Sequence, residues 1–239
     1  MPSLSGYKSE LDYSYAPGIF PSMECLLARP ERVRRLLLHS GAAGREGAEK
    51  LTALAREIGV RTEEADRALG RISGKENCYA AAVFEKFEDA LDPEKPQVLL
   101  HQPGDGGNVG TILRTADAFG ADGLFLLPGC ADPYSPKTVR ASMGAVFRCP
   151  VWQCAPDDLK RTLDSSAIPL YGAALREDTV DARTVRYDRS AIAIGSEGRG
   201  LSPEVLDLCN ATVRIPMEPR CESLNAAIAA AVLLWEAYR

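Results

Sequence analysis

From Gln97 to the C-terminus, short apolar runs alternate with segments that carry helical signals, and this alternation restricts the fold more than any other feature. Strand-like runs fall at 97–102, 123–127, 151–154, 169–174, 191–194 and 212–215. Between them the spacing predicts helices over 108–119, from Ser135-Pro136 to about Met143, over 157–163 and after Ser202-Pro203. Ser-Pro is a cap followed by proline at the first helical position, and Gly120 sits where a helix ends in a left-handed residue. Residues 181–189 are charged and read as loop. Strands separated by helices return parallel, so the chain predicts an α/β fold around a mostly parallel sheet. Such sheets bind ligands at the carboxyl ends of their strands, which directs attention to the loops after 191–194 and 212–215.

The first ninety-odd residues form a smaller α/β pattern. Residues 1–15 read as a polar arm, followed by apolar residues at helical spacing (Ile19, Met23, Leu26, Leu27) and a strand at 33–38. Leu51, Leu54, Ala55 and Ile58 share one face of a helix over 47–58 that ends at Gly59. Thr62 reads as an N-cap, with Glu63 and Glu64 in the first turn of a helix to Ile72; residues 79–84 read as strand. The polar break Asp92-Pro93-Glu94-Lys95-Pro96 divides the chain into domains at 1–92 and 93–239.

Several function classes are disfavoured at this point. The chain carries 28 Lys+Arg against 33 Asp+Glu, a net charge of −5, so there is no global electrostatic case for nucleic acid. An RNA partner would need a local basic patch, and Arg29, Arg32, Arg34 and Arg35 offer the best one in the first domain, although solvation is the ordinary meaning of such a run. Seven cysteines without a C-x-x-C pair, and two histidines, predict no metal site. The longest apolar run, 226–235, is too short to span a bilayer, and no leader-like segment opens the chain; the expectation is a cytoplasmic protein.

Three stretches carry candidate chemistry. Asp105-Gly106-Gly107-Asn108-Val109-Gly110 opens a helix after a strand, with Asn108 at the expected cap and Arg114 further along. Glycines and a helix N-terminus suit an anion, and a capped turn explains the stretch equally well. Gly195-Ser196-Glu197-Gly198-Arg199-Gly200 either brings backbone close to something after a buried strand or is a tight turn with no ligand, and its glycines do not follow the dinucleotide spacing. In Glu222-Ser223-Leu224-Asn225-Ala226-Ala227, Ser223 reads as the cap of the last helix. Asn225 would then lie in the first turn, where its poor propensity argues for a binding role. Ser142-Met143-Gly144-Ala145 reads as a helix end.

Together, in this order, these stretches resemble the SpoU/TrmH family of RNA ribose 2′-O-methyltransferases, of the knotted SPOUT superfamily. The matching residues are Asn108-Val109-Gly110 with Arg114-Thr115-Ala116, Gly195-Ser196-Glu197-Gly198 with Gly200-Leu201, and Ile215-Pro216-Met217 with Ser223-Leu224-Asn225. Ser142 to Ala145 resembles a further family segment, and residues 15–90 resemble a small ribosomal-protein-like RNA-binding domain. The resemblance implies a deep trefoil knot and S-adenosyl-L-methionine held by Gly195, Gly200, Ile215, Met217 and Leu224. It implies Arg114 as the group that activates the 2′-hydroxyl, as a base or by gripping the adjacent phosphate, with Asn108, Glu197, Ser223 and Asn225 around it. It further implies tRNA or rRNA as substrate and a homodimer packed through the knot. Two departures stand out: Gly106-Gly107 replace a common proline position, and Ala226-Ala227 follow Asn225 where Val-Ser is common. A non-catalytic RNA-binding or assembly protein of the same fold is the alternative; a nicotinamide-dependent oxidoreductase is disfavoured by the glycine spacing.

Overall fold

The computed structural model describes residues 6–73, 78–90, 92, 97–218, 220–221 and 223–239. In chain order the elements are β1 (Tyr13–Pro17), α1 (Ile19–Ala28), β2 (Val33–Leu38), α2 (Glu46–Glu57), β3 (Thr62–Glu64), α3 (Asp66–Ser73) and β4 (Ala80–Glu85). They continue with β5 (Gln97–Leu100), α4 (Gly106–Ala118), β6 (Gly123–Leu126), α5 (Pro136–Ala141), β7 (Val151–Gln153), α6 (Pro156–Ser166) and β8 (Leu170–Ala173). The last are β9 (Val180–Asp181), β10 (Ala191–Ile194), α7 (Pro203–Leu206), β11 (Ala211–Arg214) and α8 (Ala226–Tyr238).

Two compact units result: Met1–Phe87 with Asp132–Arg148, and Glu88–Ala131 with Cys149–Arg239. The first unit holds a four-stranded sheet in the order β1-β4-β2-β3. Its centre, β4, is small and fully buried at Ala80, Ala81 and Ala82, which lets α1 lie close against it. Ser22 of α1 makes the approach possible without an orphaned hydroxyl: its Oγ donates to Ala16 O at 2.8 Å and accepts from Ala82 N at 2.9 Å.

The segment 132–148, which follows β6 in sequence, is built into this first unit. Tyr134 O accepts from Ser14 Oγ, and Tyr134 OH donates to Phe87 O. The Phe147 ring meets Phe84 edge-on at 5.0 Å, and Lys86 pairs with Asp132 at 3.3 Å. A linear division at 92/93 puts this segment in the second domain; in space its contacts are with the first unit. Apart from Asp92, and with Leu91 before it, the polar break itself lies outside the described residues.

Three expectations are corrected. Residues 13–17 are not part of an arm but a strand antiparallel to β4, with Tyr15 fully buried. Thr62 does not cap a helix: residues 62–64 pair in parallel with Leu36, Leu37 and Leu38, and the helix starts at Asp66. Strand pairing outweighs the local acidic signal there. Within 181–189, Asp181 joins Val180 as the short edge strand β9 against β11.

The second unit has a seven-stranded sheet, β7-β6-β5-β10-β8-β11-β9, and every pair in it is parallel. The four residues of β5, β6 and β10 are all buried, as expected of strands covered on both faces. Leu99, Phe125, Ala191 and Ala193 pack with Leu159, Leu163, Leu201 and Val205 of one layer. By alternation the intervening residues face the other layer, where α4 and α8 pack on each other and on β6 and β10 respectively. β10 is inserted between β5 and β8, which precede it in sequence. The order of the strands reverses there, so the loops after β5 and β10 meet at one edge.

Candidate active site

The loops after β5, β10 and β11 all leave the same edge of the parallel sheet. Each supplies one polar side chain to a closed cluster. Helix α4 is capped by Asp105, whose Oδ1 accepts from Gly107 N at 2.7 Å and Asn108 N at 3.1 Å. Asn108 is therefore not the cap that the sequence suggested. Its amide is free for another task, and its Nδ2 donates to Glu197 Oε1 at 2.6 Å.

The start of α8 is corrected in the same way. Asn225, not Ser223, is the N-cap: its Oδ1 accepts from Ala227 N at 3.0 Å and Ile228 N at 3.3 Å. That orientation turns its Nδ2 outward, to Glu197 Oε1 at 2.8 Å and Asn108 Oδ1 at 3.1 Å. The donor directions are thus self-consistent from the α8 backbone through both amides to one carboxylate oxygen. Glu197 thus accepts two hydrogen bonds on one oxygen, beside the N-termini of α4 and α8.

Next to this cluster lies a cavity of about 300 Å³ bordered by Gly195, Gly200, Ile215, Met217 and Leu224, together with Glu197 and Ser223. All five residues that the family resemblance implied for the donor border it. The β10 loop folds back on itself: Ser196 O accepts from Gly200 N at 2.9 Å, and a Cβ on Gly195 would lie 2.2 Å from Gly200 C. Gly200 has φ +64, a conformation that side chains rarely adopt. Backbone and small apolar side chains dominate the wall, which suits a flat, largely apolar ligand with few polar anchors. That chemistry fits the adenosyl group of S-adenosyl-L-methionine.

Other sequence candidates fall elsewhere. Arg114 is exposed on α4 and makes no hydrogen bond or ion pair with the described residues; this chain does not join it to the Asn108–Glu197–Asn225 cluster. Ser142 to Ala145 belongs to the first unit, with the Gly144 backbone at φ +85 against the Glu24 side chain. The four arginines of the candidate basic patch have partners within the first unit, Arg32 through Glu31 at 3.9 Å. Arg34 bonds Asp12 at 2.6 Å and Glu85 at 3.1 Å, Arg35 pairs with Glu63 at 3.1 Å, and Arg29 Nε donates to Phe147 O at 2.9 Å. Glu222 lies outside the described residues.

Sequence reasoning missed two neighbours of the site. His101, at the end of β5, is buried with Nδ1 3.4 Å from Gly200 O, so it props the glycine loop. Arg214, the last residue of β11, borders the cavity; its place one residue before Ile215 was the available signal. Among the described residues no group of three or more His, Cys, Asp or Glu is placed to hold a metal, and no helix is long and apolar enough to cross a membrane.

Comparison with known proteins agrees with this geometry. Residues 95–235 match the SpoU rRNA Methylase family. A 23S rRNA (uridine(2479)-2′-O)-methyltransferase of Streptomyces viridochromogenes is 35% identical over 81% of this chain and 74% of its own. A 23S rRNA (guanosine(2553)-2′-O)-methyltransferase of Bacillus subtilis (strain 168) is 32% identical over 65% of this chain and 62% of its own. An uncharacterized tRNA/rRNA methyltransferase of Synechocystis sp. is 41% identical over 59% of this chain and 52% of its own, so the chain spans about half the length of that relative. An AdoMet-bound rRNA methyltransferase from Sinorhizobium meliloti superposes with a TM-score of 0.81 at 29% identity, covering 95% of this chain and 87% of that one. A parallel sheet with an inserted β10, a backbone-walled cavity and the three joined motifs therefore have one common explanation: the chain belongs to the SpoU rRNA methylase family.

Proposed function

We propose that this protein transfers a methyl group from S-adenosyl-L-methionine to a ribose 2′-hydroxyl of structured RNA, tRNA or rRNA. The observation that carries the reading is the joining of Asn108, at the start of α4, with Glu197 and Asn225 from two later loops, Glu197 itself bordering the cavity. Gly195, Gly200, Ile215, Met217 and Leu224 would hold the donor through backbone and apolar contacts. When bound, the donor would supply an electrophilic methyl carried on a sulfonium, with a neutral thioether as leaving group. The chain's residues then have to orient the hydroxyl in line and remove its proton, and positioning accounts for much of the barrier reduction.

Arg114 is the group assigned to the hydroxyl. A guanidinium is a poor base, so the two versions are that it takes the proton itself or that it grips the neighbouring phosphate and polarises the hydroxyl. Asn108, Glu197, Ser223 and Asn225 hold the ribose and phosphate in register. Arg114 stands apart from that cluster within one chain, which supports a site completed by a second copy. We place the contact on α8, where Ile228, Val232, Trp235 and Tyr238 expose an apolar stripe, with Phe119 of the adjoining turn against both Trp235 and Tyr238. Such a stripe on an otherwise buried helix marks an association surface. The reading includes the knot, with α8 threaded through the loop after β10; its support is the return of α8 from β11 to pack on β10 and α4. The N-terminal unit, 1–92 in sequence terms, would hold the RNA, and the knotted domain, 93–239, would do the chemistry in the cytoplasm.

The test is incubation of the full chain with labelled donor and total RNA, followed by mapping of alkali-resistant ribose positions. Methyl incorporation at a ribose, absent in Arg114→Ala while donor affinity persists, is the expected result. Donor binding without incorporation into any RNA would instead favour the non-catalytic RNA-binding protein.

A further inference from the structure

We propose that Arg214 is the anchor for the carboxylate at the amino-acid end of the methyl donor, an inference that rests on the donor reading above. Among the described residues bordering the cavity, Arg214 is the cation and Glu197 the anion; the remainder are glycines, hydroxyls and apolar side chains. The donor brings a carboxylate, and an anion taken into a pocket of this kind needs a charged or hydrogen-bonding partner. Glu197 cannot serve, since it has the same sign and its Oε1 is committed to Asn108 and Asn225.

Arg214 is available because a neighbour has been claimed. Its register partner across the β11–β9 pair is Asp181. That carboxylate is held by Arg183, whose Nε donates to Oδ1 at 3.0 Å and whose Nη2 donates to Oδ2 at 2.6 Å. Arg214 is left with no hydrogen bond or ion pair among the described residues. It closes β11 at the carboxyl edge, immediately before Ile215, and borders the cavity, with its backbone fixed by the sheet. A planar guanidinium matches a carboxylate through two parallel N–H···O bonds, which a lysine would not reproduce. The charge of Arg214 still acts on Asp181, but Arg183 takes both carboxylate oxygens, so Arg214 keeps its N–H donors for the ligand.

The experiment measures calorimetric affinities of the full chain for S-adenosyl-L-methionine, S-adenosyl-L-homocysteine and decarboxylated S-adenosylmethionine. Wild type and the variants Arg214→Met and Arg214→Lys are compared. The expected result is a loss of roughly tenfold for the two carboxylate-bearing ligands in Arg214→Met, a smaller loss in Arg214→Lys, and unchanged affinity for the decarboxylated analogue. Unchanged affinity for all three in Arg214→Met overturns the proposal. So does an equal loss for all three, which a merely damaged fold would give. A variant that keeps donor affinity but raises KM for RNA assigns Arg214 to a substrate phosphate and overturns it too. A wild-type chain that binds none of the three refutes the donor reading itself, an outcome distinct from the others.

Discussion

Asn225 reaches Glu197 through Nδ2 at 2.8 Å while its own Oδ1 caps α8, so one side chain both starts the last helix and fixes the site carboxylate. Structure and function are coupled at that residue, and the two roles can be separated by substitution. Asn225→Ala removes both and should cost about 1–2 kcal/mol in unfolding free energy together with turnover. Asn225→Asp keeps a capping oxygen but sets a second anion against Glu197. Its thermal unfolding should stay nearer wild type, while methyl transfer falls as far as in the alanine variant. Full activity in Asn225→Asp would show that the bond to Glu197 is dispensable.

Gly195 and Gly198 lie in the same loop but should tolerate alanine very differently. A Cβ at Gly195 would meet Gly200 backbone at 2.2 Å, whereas at Gly198 there is nothing within 4 Å. Gly195→Ala should lower stability in urea by about 1–3 kcal/mol and abolish donor binding, because backbone and not a flexible side chain has to move. Gly198→Ala should unfold within about 0.5 kcal/mol of wild type. Equal behaviour of the two variants would contradict the folded-back loop.

The α8 stripe predicts an association that can be broken without touching the cavity. Trp235 is 55% exposed, and Trp235→Asp should convert a dimer to a monomer by light scattering at micromolar concentration. If Arg114 is supplied across that interface, the monomer should bind donor but transfer no methyl group. A wild-type monomer at all accessible concentrations would remove this part of the proposal.

Asp181 carries the clearest pH signature. The Arg183 side chain, then the Arg183 backbone N–H, hold its carboxyl down at about 2. A carboxyl depressed on folding contributes stability that is present above its unfolded pKa of about 4 and is lost as pH falls through the folded value, here near 2. The group is exposed, so the effect on stability is small and the direct readout is carboxyl NMR. Arg183→Ala should return the Asp181 midpoint towards the ordinary range; an unchanged midpoint would show that Arg183 is not the cause.

The parallel α/β domain was legible because its strands are short, mostly apolar and for the most part separated by helices; Ser135 and Ser202 do cap α5 and α7 as their Ser-Pro pairs indicate. The motif residues were legible as a set through the family resemblance. Less readable were the caps. Asp105 and Asn108 are both good capping residues three apart, as Ser223 and Asn225 are two apart, and local propensity does not rank them. Thr62 was misread because the partner strand β2, which makes it a strand, lies more than twenty residues earlier.

By itself, then, the sequence determined the class of the fold, the edge of the sheet where chemistry gathers, and the residue types gathered there. These follow from periodicity, glycine placement and short-range capping, which act over a few residues. Only the tertiary structure decided that Asn108 and Asn225 converge on one oxygen of Glu197, that 132–148 builds into the first unit, and that Arg183 leaves Arg214 unpaired. The insertion of β10 between β5 and β8 joins loops that are far apart along the chain, and no local pattern encodes such a long-range pairing.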